Sequence, residues 1–435
     1  MRLPSPSGEV LAMLAVALVL RAAYVFAVHR IGAEPASDSI SYDVIAWNLA
    51  SDRGFQLVRE TTLYPTAKAP LLPWLVSLVY RVTGHVYFAS LLLQCVIGAF
   101  VPVLVRSLGR TMFGTHVGRT AGWLAVVHPL LIFFSGYLLT ESLFAAMVLA
   151  AMLASAEWLK APRPRRALGA GLLWGLACLT RPTAMPLPAL VVLWAWAPLG
   201  LMLRPGDRAR QSAVLLLGVV LAIAPWTIRN AIVLREFVPI TTGGGRTLLD
   251  ANNPLVWDDP VLRGSAISTA EVEPWRTRFA GHSESEVDRI AGDEAVAFGL
   301  ARWRQWPTMA WAKFSRMWRL TALAPSTGRW FRTGSLPDRL LSLADPLLLW
   351  SLVTLPLALW GLLRTLRNTR RHFQLLPLWV VGVFTAGSLL FWGALRLRVP
   401  AEPMLLLYAG VGAADLLWRV RMRRYGMSLI TGARP

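Results

Sequence analysis

The chain has 435 residues, 55% of them hydrophobic and 16% charged, with a mean hydropathy of +0.50. A soluble protein of this length needs more polar surface, so that class is excluded. The net charge of +20 does not mark a nucleic-acid binder either. The arginines fall in short loops between apolar runs, where a membrane protein uses them to set its orientation, and no soluble domain gathers them on one face.

Apolar segments read as membrane crossings are placed roughly, in chain order, at 9–29, 86–105, 120–137, 141–158, 167–180, 184–203, 211–228, 341–363, 374–394 and 401–418. The first, Val10 to Val28, exceeds the usual length of a signal-peptide core, is interrupted by Arg21 and is followed by no A-x-A site, so it is read as an uncleaved first transmembrane helix. The stretch APLLPWLVSLVYRVTG (69–84) is short and holds two prolines, and is read as a helix lying in or re-entering the membrane surface. The expected fold is an all-α polytopic membrane protein of about ten transmembrane helices. Juxtamembrane helices stand in its first external loop, and a long external loop comes later. Three parts follow: an N-terminal transmembrane module (1–229) that includes the external loop 30–85, an external region (230–340), and C-terminal transmembrane helices with a basic tail (341–435).

Loops rich in Lys and Arg (Arg106, Arg110 and Arg119; Lys160 to Arg166; Arg204 to Arg210; Arg364 to Arg371; Arg419 to Arg424) alternate with poor ones. The positive-inside rule puts the rich set and both termini in the cytoplasm, and residues 29–68 and 230–340 outside a cytoplasmic (inner) membrane. The two cysteines, Cys95 and Cys178, sit in apolar runs, form no CxxC and read as small buried side chains rather than metal ligands.

The stretch DSISYDVIAWNLASDRGF puts Asp38, Asp43 and Asp52 straight after the first apolar run. From Asp38 the apolar residues Tyr42, Ile45, Ala46 and Leu49 fall on one helical face. On local pattern alone, Asp38 is an N-cap of a helix lying on the bilayer. By its place, it is a carboxylate at head-group depth, where an enzyme acting on a lipid-linked phosphate needs a general base and where partial desolvation raises basicity. Lys68 is the sole lysine between Met1 and Trp158. It reads either as a cation for a lipid phosphate or as a lysine snorkelling to the head groups.

Together with YPTAKAPLLPWLVSL, this stretch resembles the first external loop of the GT-C integral-membrane glycosyltransferases, nearest to the bacterial protein O-mannosyltransferase and lipid A aminoarabinose transferase type. Arg21, YLLTESLF (137–144), GLACLTRPTA (175–184), TGGGRTLLDANNP (242–254) and LRLRVPAEP (395–403) resemble further positions of that family in the same order. The resemblance implies an inverting transferase that takes sugar from a polyprenyl-phosphate donor among membrane lipids and passes it to a glycolipid, glycan or protein acceptor. Asp38 matches the catalytic acid, Lys68 the cation near the donor phosphate, and Tyr42 a residue lining the site. Arg398, ahead of Arg396, matches a late arginine that meets the phosphate. Several relatives carry two acids where this chain has Asp38-Ser39-Ile40, which weakens the case for a bridging divalent metal, and no cofactor signature is present.

Other residues have two readings. Glu141, beside Thr140 at a helix start, is read as support for the loops, with substrate contact second. Arg181, at the turn Thr180-Arg181-Pro182, is read as pairing with an acid of the first loop ahead of binding phosphate. Asn252 and Asn253 read equally as ligands of sugar hydroxyls and as closers of their own Asn-Pro turn. Asp43, five residues beyond Asp38, points away from it and is not favoured as a nucleophile. Gly243 to Gly245 lack the Gly-Lys-Ser/Thr of a phosphate loop and are read as a turn. Tryptophans near membrane boundaries, among them Trp226, Trp303, Trp306, Trp318 and Trp330, read as an aromatic belt. Against the enzyme stand a transporter or flippase of lipid-linked sugars, for which internal repeats are lacking, and a non-catalytic assembly subunit.

Overall fold

Backbone in a bilayer must satisfy its own hydrogen bonds, and apolar runs of this length do so as helices. The computed structural model describes residues 6–29, 32–59, 62–66, 68–197, 204–320, 346–367 and 372–424. Trp330, residues 321–340 of the external region, the starts of the 30–85 loop and of the 341–363 segment, the end of the 184–203 segment and residues 368–371 of the Arg364 to Arg371 loop lie outside the described residues.

The helices are α1 (Pro6–Val28), α2 (Asp38–Ala50), α3 (Leu71–Thr83), α4 (Tyr87–Phe113), α5 (Thr115–Val126), α6 (Pro129–Phe133), α7 (Glu141–Lys160), α8 (Pro164–Thr180), α9 (Pro186–Trp196) and α10 (Pro205–Leu234). After them come α11 (Gly244–Ala251), α12 (Pro254–Trp257), α13 (Trp275–Phe279), α14 (Glu284–Ala301), α15 (Trp306–Trp318), α16 (Pro346–Leu366), α17 (Pro377–Leu390), α18 (Leu395–Arg398) and α19 (Glu402–Arg424). Two three-residue strands, β1 (Leu57–Arg59) and β2 (Thr62–Tyr64), pair antiparallel with Val58 opposite Leu63. The fold is thus an all-α polytopic membrane fold with one small hairpin in the first loop.

Among the described residues seven helices are long and apolar enough to cross a membrane, or eight if α5 and the segment Pro129–Gly136, bent by 52°, count as one span. The bend falls at His128-Pro129, where proline cannot continue the preceding helix. Ten crossings were expected, and two segments account for the difference. Residues 167–180 form α8, only 17 residues long and beginning at Pro164 with Arg165 and Arg166. The described part of the 184–203 segment belongs to the short apolar stretch Pro182–Trp196. Helix α8 lies flush against α10, so close that a Cβ on Gly171 would meet the backbone of Leu215 and Gly218.

The expected boundary at residue 229 falls inside α10, which runs on to Leu234. Beyond it, α11 to α15 build a region with its own apolar core of Leu249, Trp275, Phe279, Val287, Ala291 and Ala295. Ser283 and Glu286 form a reciprocal capping box that starts α14. This region is tied to the end of α17. Lys313 on α15, fully buried, donates to Asn252 Oδ1 at 2.8 Å and to the Leu390 carbonyl at 3.2 Å.

Burial lowers the Lys313 ammonium from 10.5 to about 7. Between those values the unfolded chain binds a proton that the folded chain does not, so stability rises as pH climbs from about 7 towards 10.5. Melting of the detergent-solubilised protein is therefore expected to shift upward between pH 6 and pH 9 by more than in Lys313→Met, and equal shifts in the two would count against it.

Candidate functional site

Helix α2 buries Tyr42, Ile45 and Ala46 on one face, as their spacing predicts. Asp38 is its first residue rather than its cap. The preceding Ser37 takes a positive φ of 54° and makes no side-chain cap. Left free by this, the Asp38 carboxylate turns to the protein: Oδ1 stands 3.5 Å from Lys68 Nζ and Oδ2 accepts from Arg396 Nη1 at 2.7 Å. Its position in the first turn of α2 adds the favourable field of the helix N-terminus.

Arg396 does more than pair with Asp38. Its Nε donates to Glu141 Oε1 at 2.7 Å, and Arg181 Nη1 donates to the same oxygen at 3.2 Å. The order Lys68–Asp38–Arg396–Glu141–Arg181 is therefore a continuous chain of alternating charge drawn from five distant parts of the sequence. Lys68 also lies over the Tyr42 ring, 5.1 Å from its centroid. Glu141 is fully buried, whereas the Asp38, Lys68 and Arg396 side chains keep 38%, 20% and 24% of their surface exposed. Solvent thus reaches Asp38, Lys68 and Arg396 but not Glu141. With three cations against two carboxylates, the cluster carries one net positive charge and suits an anion.

Sequence reasoning expected desolvation to raise the basicity of Asp38. The reverse holds: Lys68 foremost, with Arg396, keeps its carboxyl well below the usual carboxylate range, against the opposing effect of burial.

The remaining residues divide clearly. Arg181 pairs with Glu141, not with an acid of the first loop. Arg398 is buried away from the cluster in an ion pair with Glu402, which also meets His128, and it donates to Ser351 Oγ at 3.0 Å. Of the two late arginines, Arg396 is the one that faces Asp38. Arg21 is buried in α1 and donates to the carbonyls of Ala17 and Val126, holding α1 against α5.

Asn252 and Asn253 are buried, and their amides are spent on the fold. Asn252 donates to Leu248 and Leu390 and accepts from Lys313, while Asn253 caps α12 through Val256 N–H at 3.0 Å. Both line a cavity of about 420 Å³ in the external region, beside Trp275, Phe298 and Glu294 and apart from Asp38. Gly243 takes a φ of 101° at the start of α11, the turn its sequence suggests. Asp43 is buried on another side of α2, where Tyr80 donates to it at 2.5 Å and His85, stacked on Trp47, lies 2.9 Å away.

Among the described residues no group of three or more His, Cys, Asp or Glu could hold a metal ion. The donor chemistry around Asp38 does not fit one either. Both of its oxygens face cations, and the guanidinium of Arg396 already bridges the two carboxylates that a divalent ion would need.

Residues 67–229 match the family model described as dolichyl-phosphate-mannose-protein mannosyltransferase. No match was found among curated proteins. Among solved structures the chain is similar to the archaeal oligosaccharyltransferase AglB of Archaeoglobus fulgidus in complex with an inhibitory peptide and a dolichol-phosphate. The TM-score is 0.58 and the identity 16%, over 98% of this chain and 52% of that one. The same protein in complex with Zn and sulfate gives a TM-score of 0.57 and 14% identity, over 95% and 50% of the two chains. ArnT of Cupriavidus metallidurans bound to undecaprenyl phosphate aligns over 97% of this chain and 80% of that one, at 14% identity and a TM-score of 0.45. This chain spans about half the length of the AglB chains it matches. The chain therefore shares its fold with the AglB oligosaccharyltransferase along nearly its whole length, and residues 67–229 are similar in sequence to the mannosyltransferase family.

Proposed function

We propose that the chain is an inverting glycosyltransferase that moves a sugar from a polyprenyl-phosphate donor to a lipid, glycan or protein acceptor on the outer face of the bacterial cytoplasmic membrane. The observation that carries this reading is the Asp38 carboxylate, held between Lys68 and Arg396 at the exit of the first transmembrane helix. The mannosyltransferase family match, the AglB structure with dolichol-phosphate and the alternating Lys/Arg loops support it.

The reaction asks little of the protein. An acceptor hydroxyl or amine attacks the anomeric carbon. The bond from that carbon to the phosphate oxygen breaks, its electron pair stays on the phosphate, and the acceptor's proton passes to Asp38. Lys68 and Arg396 hold the phosphate charge as it grows, and Tyr42 supports Lys68 from below. Because the phosphate and Asp38 draw on the same two cations, donor binding weakens their hold on Asp38. The carboxylate becomes a stronger base once the donor is seated.

A retaining route needs a second, nucleophilic carboxylate about 5 Å from the first and open to substrate. Glu141 is fully buried behind Arg396, and Asp43 is engaged by Tyr80 and His85. Inversion is the outcome these carboxylates favour. No step is assigned to a metal, since the cluster already supplies cations.

The test uses the purified chain in liposomes with labelled polyprenyl-phosphate sugar. Lys68→Ala is expected to raise donor KM about tenfold or more, the scale of one charge-assisted contact, and product NMR is expected to show inverted anomeric configuration. Donor crossing vesicles unconsumed, with no free polyprenyl phosphate released, would identify a flippase instead.

A further inference from the structure

Lys68 is presented by a loop that the external region grips directly. Two residues before it, Thr66 donates its backbone N–H to Glu284 Oε2 at 3.2 Å. The Thr66 and Thr242 hydroxyls lie 3.1 Å apart, and Thr242 donates in turn to Glu284 Oε1. Thr66 is fully buried and Thr242 is 8% exposed. From the other side Arg229 of α10 donates to the carbonyls of Pro65 at 2.8 Å and Phe55 at 2.9 Å, its guanidinium packed 4.7 Å over the Trp226 ring. The partners Thr66 and Glu284 are 218 residues apart in sequence.

We propose that Glu284 is a positioning residue for the donor site: through Thr66 and Thr242 its carboxylate fixes the loop that presents Lys68, so the external helices set donor affinity. This rests on the reading of Lys68 as the donor-phosphate cation. The geometry has a specific logic. A short loop between a hairpin and α3 has few ways to order itself, and Lys68 is useful only if its ammonium is held beside Asp38 before donor arrives. Glu284 supplies two acceptors at the first residue of a long helix, a rigid base whose N-terminal field favours a carboxylate there. Thr242 transmits the hold to the Thr66 side chain, and the direct bond fixes the Thr66 backbone. The loop is thereby restrained at two points rather than one.

The experiment is steady-state transfer by the full chain in liposomes with donor varied. Glu284→Ala and Thr242→Val are each expected to raise donor KM about tenfold, as loss of a positioned hydrogen bond to a charged group does, with any fall in kcat no larger than that of Lys68→Ala. Glu284→Gln, whose amide oxygen still accepts from Thr66, is expected to recover most of the affinity. In Lys68→Ala the Glu284→Ala change is expected to add less than twofold, since the residue it positions is gone. Thr242→Val, near in shape to the native residue, serves where Glu284→Ala melts below assay temperature.

If Lys68→Ala raises donor KM while both Glu284→Ala and Thr242→Val leave it unchanged, the Glu284 assignment is overturned and the Lys68 reading stands. Full additivity of Lys68→Ala with Glu284→Ala, or a loss confined to kcat, overturns it equally. An unchanged donor KM in Lys68→Ala overturns the Lys68 reading itself.

Discussion

Replacing Asp38 with asparagine is expected to lower sugar transfer by about 10²- to 10⁴-fold, the range for loss of a general base, and at the same time to tighten donor binding. The second half follows from the geometry. Lys68 and Arg396 both spend charge on Asp38 in the free protein, and the amide frees them for phosphate. Linkage makes the effect reciprocal: a donor that draws the cations away raises the affinity of Asp38 for a proton. The acid limb of kcat, which reports the donor complex, is therefore expected at higher pH than that of kcat/KM, which reports the free protein. In the free protein Asp38 titrates well below the usual carboxylate range, so kcat/KM should hold steady as pH falls through the ordinary carboxylate values. Steady-state kinetics across pH, with donor binding measured on the Asn variant, checks both points. Undiminished transfer, or weaker donor binding, would remove Asp38 from the role.

The second large effect is expected at Arg396. It joins Asp38 to a fully buried Glu141, so Arg396→Ala strips the proposed phosphate site of a cation and leaves Glu141 with Arg181 alone. Leaving a buried charge with no partner costs about 3–5 kcal/mol; because Arg181 still faces Glu141, a smaller loss is expected, read as a fall in melting temperature together with loss of transfer of at least about 10²-fold. Arg396→Lys should rescue little, because one ammonium cannot direct two N–H groups at separate carboxylates. Adding Glu141→Gln to Arg396→Ala removes the stranded charge. It is expected to restore stability without restoring transfer, and a double variant that recovers both would show Arg396 to be structural only.

Asp38 and Lys68 could be singled out in the sequence because each follows a local rule: an acid opening an amphipathic helix, a lone lysine before a membrane-surface helix. The choice between Arg396 and Arg398 could not be made there. They sit two residues apart on α18, so a helical step turns one towards Asp38 and the other into the interior, and nothing in LRLR says which. The partner that decides it, Asp38, lies 358 residues away. The same holds for Glu284, whose sequence neighbours advertise only the capping box at Ser283 and Glu286. Asn252 and Asn253 read equally as sugar ligands and as a turn, and the hydrogen bonds that engage their amides are to partners the local sequence does not single out. The all-helical architecture was readable from hydropathy. The number of full-length spans was not, because prolines and arginines trim α8 and α9 and the residues that hold them in place are contacts across the bundle.

The charges of the cluster come from positions 38, 68, 141, 181 and 396, and Arg396 lies just before the last described helix. During synthesis and insertion the earlier members reach the membrane first, and only the arrival of residue 396 completes the set. Until then a half-made chain has an acid and a lysine but no bridge between its two carboxylates. A product truncated before residue 396 would therefore hold Asp38 and Lys68 without the guanidinium that joins Asp38 to Glu141.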